Sequence, residues 1–269
     1  MDLGTVWHVI RGPLLLLLLI YAVWFARYPM WQLFTSVEPI FLVLILSYFV
    51  VLIFSLVLLR IDAKTSLPSV FKMHGYFTPL FGLGLAVLFQ TLWFAVVLMT
   101  GGRLEMASFP SLRGYETYSF YSLLPAFGLY FTFAVFGALV EEVAFRRYIQ
   151  SKLAQNFSVV WAVSIAALFF SVQHIHIFNL AWIGDFLQTQ FPYVFCFGIF
   201  VGYFFMKSGE DLWSAFAFHG AMNAFNVSLP FYLGSGYGLQ SFIATITSFT
   251  ILVLLLRLKL RKPLNRSAE

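Results

Sequence analysis

Charge is scarce in this sequence. Only 10% of its 269 residues are Asp, Glu, Lys or Arg, against roughly 25% in soluble domains. With 61% hydrophobic residues and a mean hydropathy of +0.88, that deficit excludes a soluble globular chain and implies an integral membrane protein. Cysteine is nearly absent: the single Cys196 rules out an intramolecular disulfide and any multi-cysteine metal site, and within a Phe-rich run it reads as packing. There is no HExxH, so no helix face carries the paired histidines of that zinc motif. No polar stretch is long enough for a soluble core. The longest connections, 60–78 and 103–119, are short and broken by Pro and Gly, so residues 1–269 read as one membrane domain. No inverted repeat of broken helices stands out, which removes the usual signature of a transporter. Arg27, Tyr28 and Pro29 follow the leucine run after Gly12 in place of a small-x-small cleavage site, so that run is expected to be a first span rather than a leader.

What the chain does have is a series of uncharged runs: Gly12 to Ala26, Pro39 to Leu59, Pro79 to Gly102, Thr117 to Val140, Phe157 to Gln173, Phe186 to Met206, Leu212 to Pro230 and Gly238 to Leu256. Most approach the roughly 20 residues that cross hydrocarbon as a helix. They are apolar on every face instead of alternating every second residue, so the expected fold is all-α, a polytopic transmembrane bundle of about eight spans, and not a barrel. An even number of spans puts both termini on one side. Of the sixteen Lys and Arg residues, only Arg27, Arg103 and Arg113 fall in the loops on the other side, which assigns both termini to the cytoplasm. The basic tail from Arg257 to Arg266 abuts the last span, so it reads as an anchor to anionic headgroups and not as a nucleic-acid site.

Against this background the polar residues inside spans stand out. Glu141 and Glu142 end a run with no charge from Thr117 onward, and an ionisable group at such depth costs roughly 2.5 to 3.5 kcal/mol on insertion scales. Glu142 and Arg146 are four apart with the acid first, the favourable order for an ion pair on one face. On an α-helix Glu141 points about 100° away from Glu142 and is the freer carboxylate. Phe170 and His174 share a face at the far end of the fifth run, so the ring is placed to wall one side of the imidazole. His219 and Asn223 project side by side near the start of the seventh, offering an imidazole and an amide donor in one direction, as an oxyanion requires. Each also has an ordinary reading. His219 and Asn223 suit helix-to-helix contacts worth about 0.6 kcal/mol each, and His174 alone suits an interhelical hydrogen bond. A shared site requires the fifth span to tilt, break or sit deeper, because His174 starts nearer the opposite face.

Glu141-Glu142-Val143-Ala144-Phe145-Arg146, Phe170 to His174 and His219 to Asn223 resemble, in order, the EExxxR, FxxxH and HxxxN motifs of the CPBP family, the CAAX proteases and bacteriocin-processing enzymes also called Abi. The resemblance covers a catalytic core at about 117–229. It implies a CAAX-protease-like helical bundle and an intramembrane endopeptidase in which Glu141 is the general base, His174 helps to hold the water, His219 and Asn223 form the oxyanion hole, and Glu142 with Arg146 is a structural pair. It also implies a reaction without a metal cofactor, with a divalent ion such as zinc as the alternative. The implied partners are a membrane-associated peptide or protein substrate and the lipid bilayer, with no nucleic acid, and the implied location is a bacterial cell membrane. Rival readings are a non-enzymatic immunity or scaffold protein of the same fold, which intact site residues disfavour, and a proton-coupled transporter, which would show ion-dependent flux without cleavage.

Overall fold

A computed structural model of the chain describes residues 2–33, 37–73, 77–106, 134–175, 183–184, 186–187, 190–228, 231–233 and 238–259. The polypeptide is helical almost throughout. Helices α1 (Leu3–Leu33), α2 (Val37–Ile61), the single turn α3 (Leu67–Val70) and α4 (Phe77–Met99) come first. The described part of α5 runs from 134 to 154 and contains a π-helical segment, Glu142–Gln150. Helices α6 (Val159–Val172), α7 (Phe191–Lys207), α8 (Leu212–Ser228) and α9 (Gly238–Lys259) follow. The exception is a short antiparallel pair, β1 (Leu104–Met106) with β2 (Phe231–Leu233), in which Glu105 lies opposite Tyr232. Three-residue strands leave the fold an all-α bundle.

Among the described residues, four helices are long and apolar enough to cross a membrane: Gly4–Ala26, Leu42–Ile61, Thr78–Met99 and Leu239–Leu258. They carry exposed Leu18, Ile53, Leu80 and Leu239 outward, as lipid-facing helices do. Two further apolar helices are shorter: α6 has 14 residues and α7 has 17, or about 21 and 25 Å of helix. Thr117–Phe133, most of the fourth uncharged run, lies outside the described residues.

The core between α5, α6, α7, α8 and α9 is aromatic. Phe145, Phe170, Phe200, Phe204 and Phe218 are buried, and Phe197 sits 5.9 Å from both Phe170 and Phe218. Small residues bring the backbones together, the usual device for helices in lipid. A Cβ on Gly82 of α4 would stand 2.6 Å from the carbonyl oxygen of Ser214 in α8, and one on Gly198 of α7 would stand 3.0 Å from the Ala167 methyl in α6. Asp211, fully buried just before α8, accepts from the Thr78 hydroxyl at 2.7 Å, the Ser214 hydroxyl at 2.5 Å and the Trp213 amide at 3.3 Å. It caps α8 and ties it to α4, which fixes the register of the residues that α8 presents one to three turns later.

Candidate active site

Four helices bring their polar residues to one buried locus. On α5, Glu142 and Arg146 are both fully buried, with Arg146 Nε donating to Glu142 Oε2 at 3.2 Å. The other oxygen of Glu142 is 2.7 Å from His219 Nδ1 on α8. A carboxylate only accepts, so Nδ1 of His219 carries the hydrogen. Its Nε2 faces the second carboxylate, Glu141 Oε2, at 3.6 Å. His219 therefore stands between the adjacent glutamates, one ring nitrogen towards each.

The expected 100° separation of these glutamates does not isolate them. Glu141 sits at the junction where α5 passes from α-helical to π-helical pairing, and a wider turn advances less per residue. Adjacent carboxylates thus reach opposite nitrogens of one imidazole. The Ser151 amide closes the last wide turn onto the Arg146 carbonyl, which also accepts from the Ser151 hydroxyl at 3.2 Å. Such segments occur mostly as local bulges and often at functional sites.

His174 joins the same locus because α6 stops at Val172, so its C-terminal end falls short of a full crossing. Gln173 and His174 follow the helix as a turn. Nδ1 of His174 is 2.7 Å from the Phe170 carbonyl. A carbonyl only accepts, so Nδ1 is the protonated nitrogen and, in the neutral ring, Nε2 keeps its lone pair. The Phe170 ring is the hub: its centroid is 4.9 Å from the His174 ring, 5.8 Å from the His219 ring and 5.1 Å from Arg146 Cζ. The last contact is a cation–π arrangement. It matters because Nη1 and Nη2 of Arg146 have no hydrogen-bond acceptor among the described residues. Phe197 covers His219 from another side at 4.8 Å.

Asn223, one turn beyond His219, donates from Nδ2 to the Ala134 carbonyl of α5 at 3.0 Å. One amide hydrogen is committed to that contact; the other has no acceptor among the described residues. His219 and Asn223 are thus each anchored to α5 by one nitrogen-bound hydrogen, a constraint that helical spacing alone did not reveal. Among the described residues, no group of three or more His, Cys, Asp or Glu side chains is arranged to hold a metal ion.

One neighbour was missed by the sequence reading. Tyr48 on α2 places its hydroxyl 3.4 Å from Glu141 Oε1. The available signal was a phenol within an otherwise uncharged run, which is too common in membrane helices to single out.

Residues 123–225 match the family described as Type II CAAX prenyl endopeptidase Rce1-like. The matched segment contains all three motifs and the residues assembled around Phe170. It agrees with the CPBP resemblance and supports a CAAX-type intramembrane endopeptidase in general. No curated protein matches the chain.

Proposed function

We infer that this chain, whose residues 123–225 match the Rce1-like family, belongs to the CAAX proteases and hydrolyses a peptide bond of a membrane-associated protein or peptide with water activated by Glu141. The observation that carries this reading is that His174 and His219 both pack on the ring of Phe170 while Glu141 stands 3.6 Å from His219 Nε2, so that residues of three helices meet at one locus. A water in that space finds two acceptors, the Glu141 carboxylate and Nε2 of His174, for its two hydrogens. Its lone pair is left for the substrate carbonyl.

Glu141 takes one proton as the water oxygen bonds to the carbonyl carbon. The resulting oxyanion needs donors, and the uncommitted amide hydrogen of Asn223 is one. His219 supplies the other from Nε2 only as the imidazolium, because its Nδ1 hydrogen is held by Glu142. Once Glu141 holds the water proton, the charges of Glu142, Arg146, the imidazolium and the oxyanion sum to zero. On collapse the C–N bond breaks and the proton on Glu141 passes to the leaving amine. General-base assistance is worth about 100- to 10,000-fold and one oxyanion donor about 100- to 1,000-fold, so the reading needs both. Glu142 and Arg146 hold His219 in place without touching the substrate. In this reading no metal takes part, the membrane is that of a bacterial cell, and both termini are cytoplasmic.

The test is comparative proteomics of membrane-protein termini in cells carrying wild type or Glu141→Gln. New termini present with wild type and lost with the variant are expected, with the variant inserted at wild-type levels. Identical termini in both would remove the assignment. With the purified protein, cleavage of the substrate so identified is expected to survive chelation. Loss on chelation, with stoichiometric zinc restoring activity, would replace the water-and-glutamate reading with a metal one.

A further inference from the structure

Tyr48 belongs to neither the matched segment nor any of the three motifs, yet it reaches the carboxylate on which the reaction depends. Its hydroxyl lies 3.4 Å from Glu141 Oε1, while Oε2 of the same carboxylate faces His219 Nε2 at 3.6 Å. The two oxygens therefore face different partners, and rotation of the carboxylate would disturb both. A separate feature of α5 makes room for the phenol. A Cβ on Gly137, one turn before Glu141, would stand 3.1 Å from Tyr48 Cζ and 3.2 Å from its hydroxyl oxygen. Phe136 braces the ring edge-on at 6.5 Å. Gly137 is buried against the phenol, so a methyl group there would force the ring to give by a few tenths of an ångström.

We propose that Tyr48 is a positioning residue of the active site: its hydroxyl donates to Oε1 of Glu141 and fixes the plane in which the carboxylate meets the reacting water, so that α2 completes a site otherwise built by α5, α6 and α8. The catalytic consequence rests on the hydrolytic reading above; the contact itself does not. A separation of 3.4 Å is long for an O–H···O bond, and catalytic hydrogen bonds in empty sites commonly tighten when the reactants are bound. A purely structural tyrosine would serve as well through its ring, which is why Tyr48→Phe separates the two roles.

The experiment uses the full chain in lipid nanodiscs. Subtracting the infrared spectrum of Glu141→Gln from that of wild type isolates the carboxylate stretch of Glu141. Tyr48→Phe is expected to shift that band as a donor is lost while leaving the melting temperature unchanged. Gly137→Ala, which keeps the hydroxyl but displaces the ring, is expected to shift it in the same direction. In cells, Tyr48→Phe is expected to slow the appearance of Glu141-dependent protein termini about tenfold, the scale of one hydrogen bond to a charged group. An unchanged Glu141 band in Tyr48→Phe overturns the proposal, as does a shifted band with termini appearing at the wild-type rate. If wild type generates no Glu141-dependent termini, the hydrolytic reading falls, and the infrared comparison still decides whether Tyr48 holds Glu141.

Discussion

His219 serves two carboxylates at once, and the difference between them assigns their roles. Glu142 is fully buried, with one oxygen on His219 Nδ1 and the other on Arg146 Nε. Glu141 retains some exposure, 8%, and its contacts are longer, 3.6 Å to His219 and 3.4 Å to Tyr48. A tightly bonded, sealed carboxylate is a poor base for a water that must enter and leave; a looser one at the edge of the cavity suits that task. Removing one member of a buried pair strands the other, at a cost of about 3 kcal/mol or more. Arg146 already has two terminal nitrogens without acceptors among the described residues, so the loss of Glu142 leaves its guanidinium with little beyond the Phe170 ring. Glu142→Gln is accordingly expected to lower unfolding stability by about 3 kcal/mol in detergent titrations, while Glu141→Gln stays within about 1 kcal/mol of wild type. If Glu142→Gln were as stable as wild type but inactive, the two glutamates would exchange roles.

At the scale of helices, the distances that make the site are set by glycines and by one helix that ends early. Much of this was legible in the sequence: the uncharged runs, the four-residue spacing of Glu142 with Arg146 and of His219 with Asn223, and the face shared by Phe170 and His174. The sharing of His219 by adjacent glutamates was not, because it depends on the π-helical segment Glu142–Gln150, and helical periodicity in sequence presupposes α-helical steps. The end of α6 at Val172, by contrast, falls one residue before the end of the fifth uncharged run at Gln173. Tyr48 was hidden for another reason: its role depends on the gap left by Gly137 on a different helix. Gly82 illustrates how strict such gaps are. Its neighbour is the Ser214 backbone carbonyl, 2.6 Å from where a Cβ would lie, and backbone cannot move aside as a flexible side chain does. Gly82→Ala is expected to push α8 from α4, destabilise the protein by about 1 to 3 kcal/mol and reduce cleavage by shifting His219. A Tm equal to that of wild type in a thermal melt would show that the α4–α8 contact tolerates a methyl group.

For the molecule as a whole, the distribution of charge gives the site a direction. At one end, Lys152 pairs with Asp62 at 3.0 Å and Arg147 with Glu210 at 3.5 Å, while Arg147 Nη2 also donates to the Ser69 carbonyl at 3.2 Å. These contacts join the link after α2, the end of α5 and the turn before α8 into one polar rim, close along the chain to Glu141 and Glu142. The Lys152–Asp62 pair is largely buried, and the basic excess at this end is what retains a loop in the cytoplasm. The opposite end carries Arg103 after α4. We therefore expect the polar rim, and with it the nearer mouth of the site, to face the cytoplasm. In a Cys196→Ser background, Ser66→Cys on the rim and Thr100→Cys beyond α4 place single exposed thiols at the two ends. A membrane-impermeant maleimide added to intact cells is expected to label the thiol at position 100 and to spare the one at 66 until the membrane is opened. The reverse pattern would invert the topology and require substrates to be cut near the outer leaflet. Labelling of both thiols in intact cells would place the link after α2 and the end of α4 on the same side, and the count of spans between them would have to change.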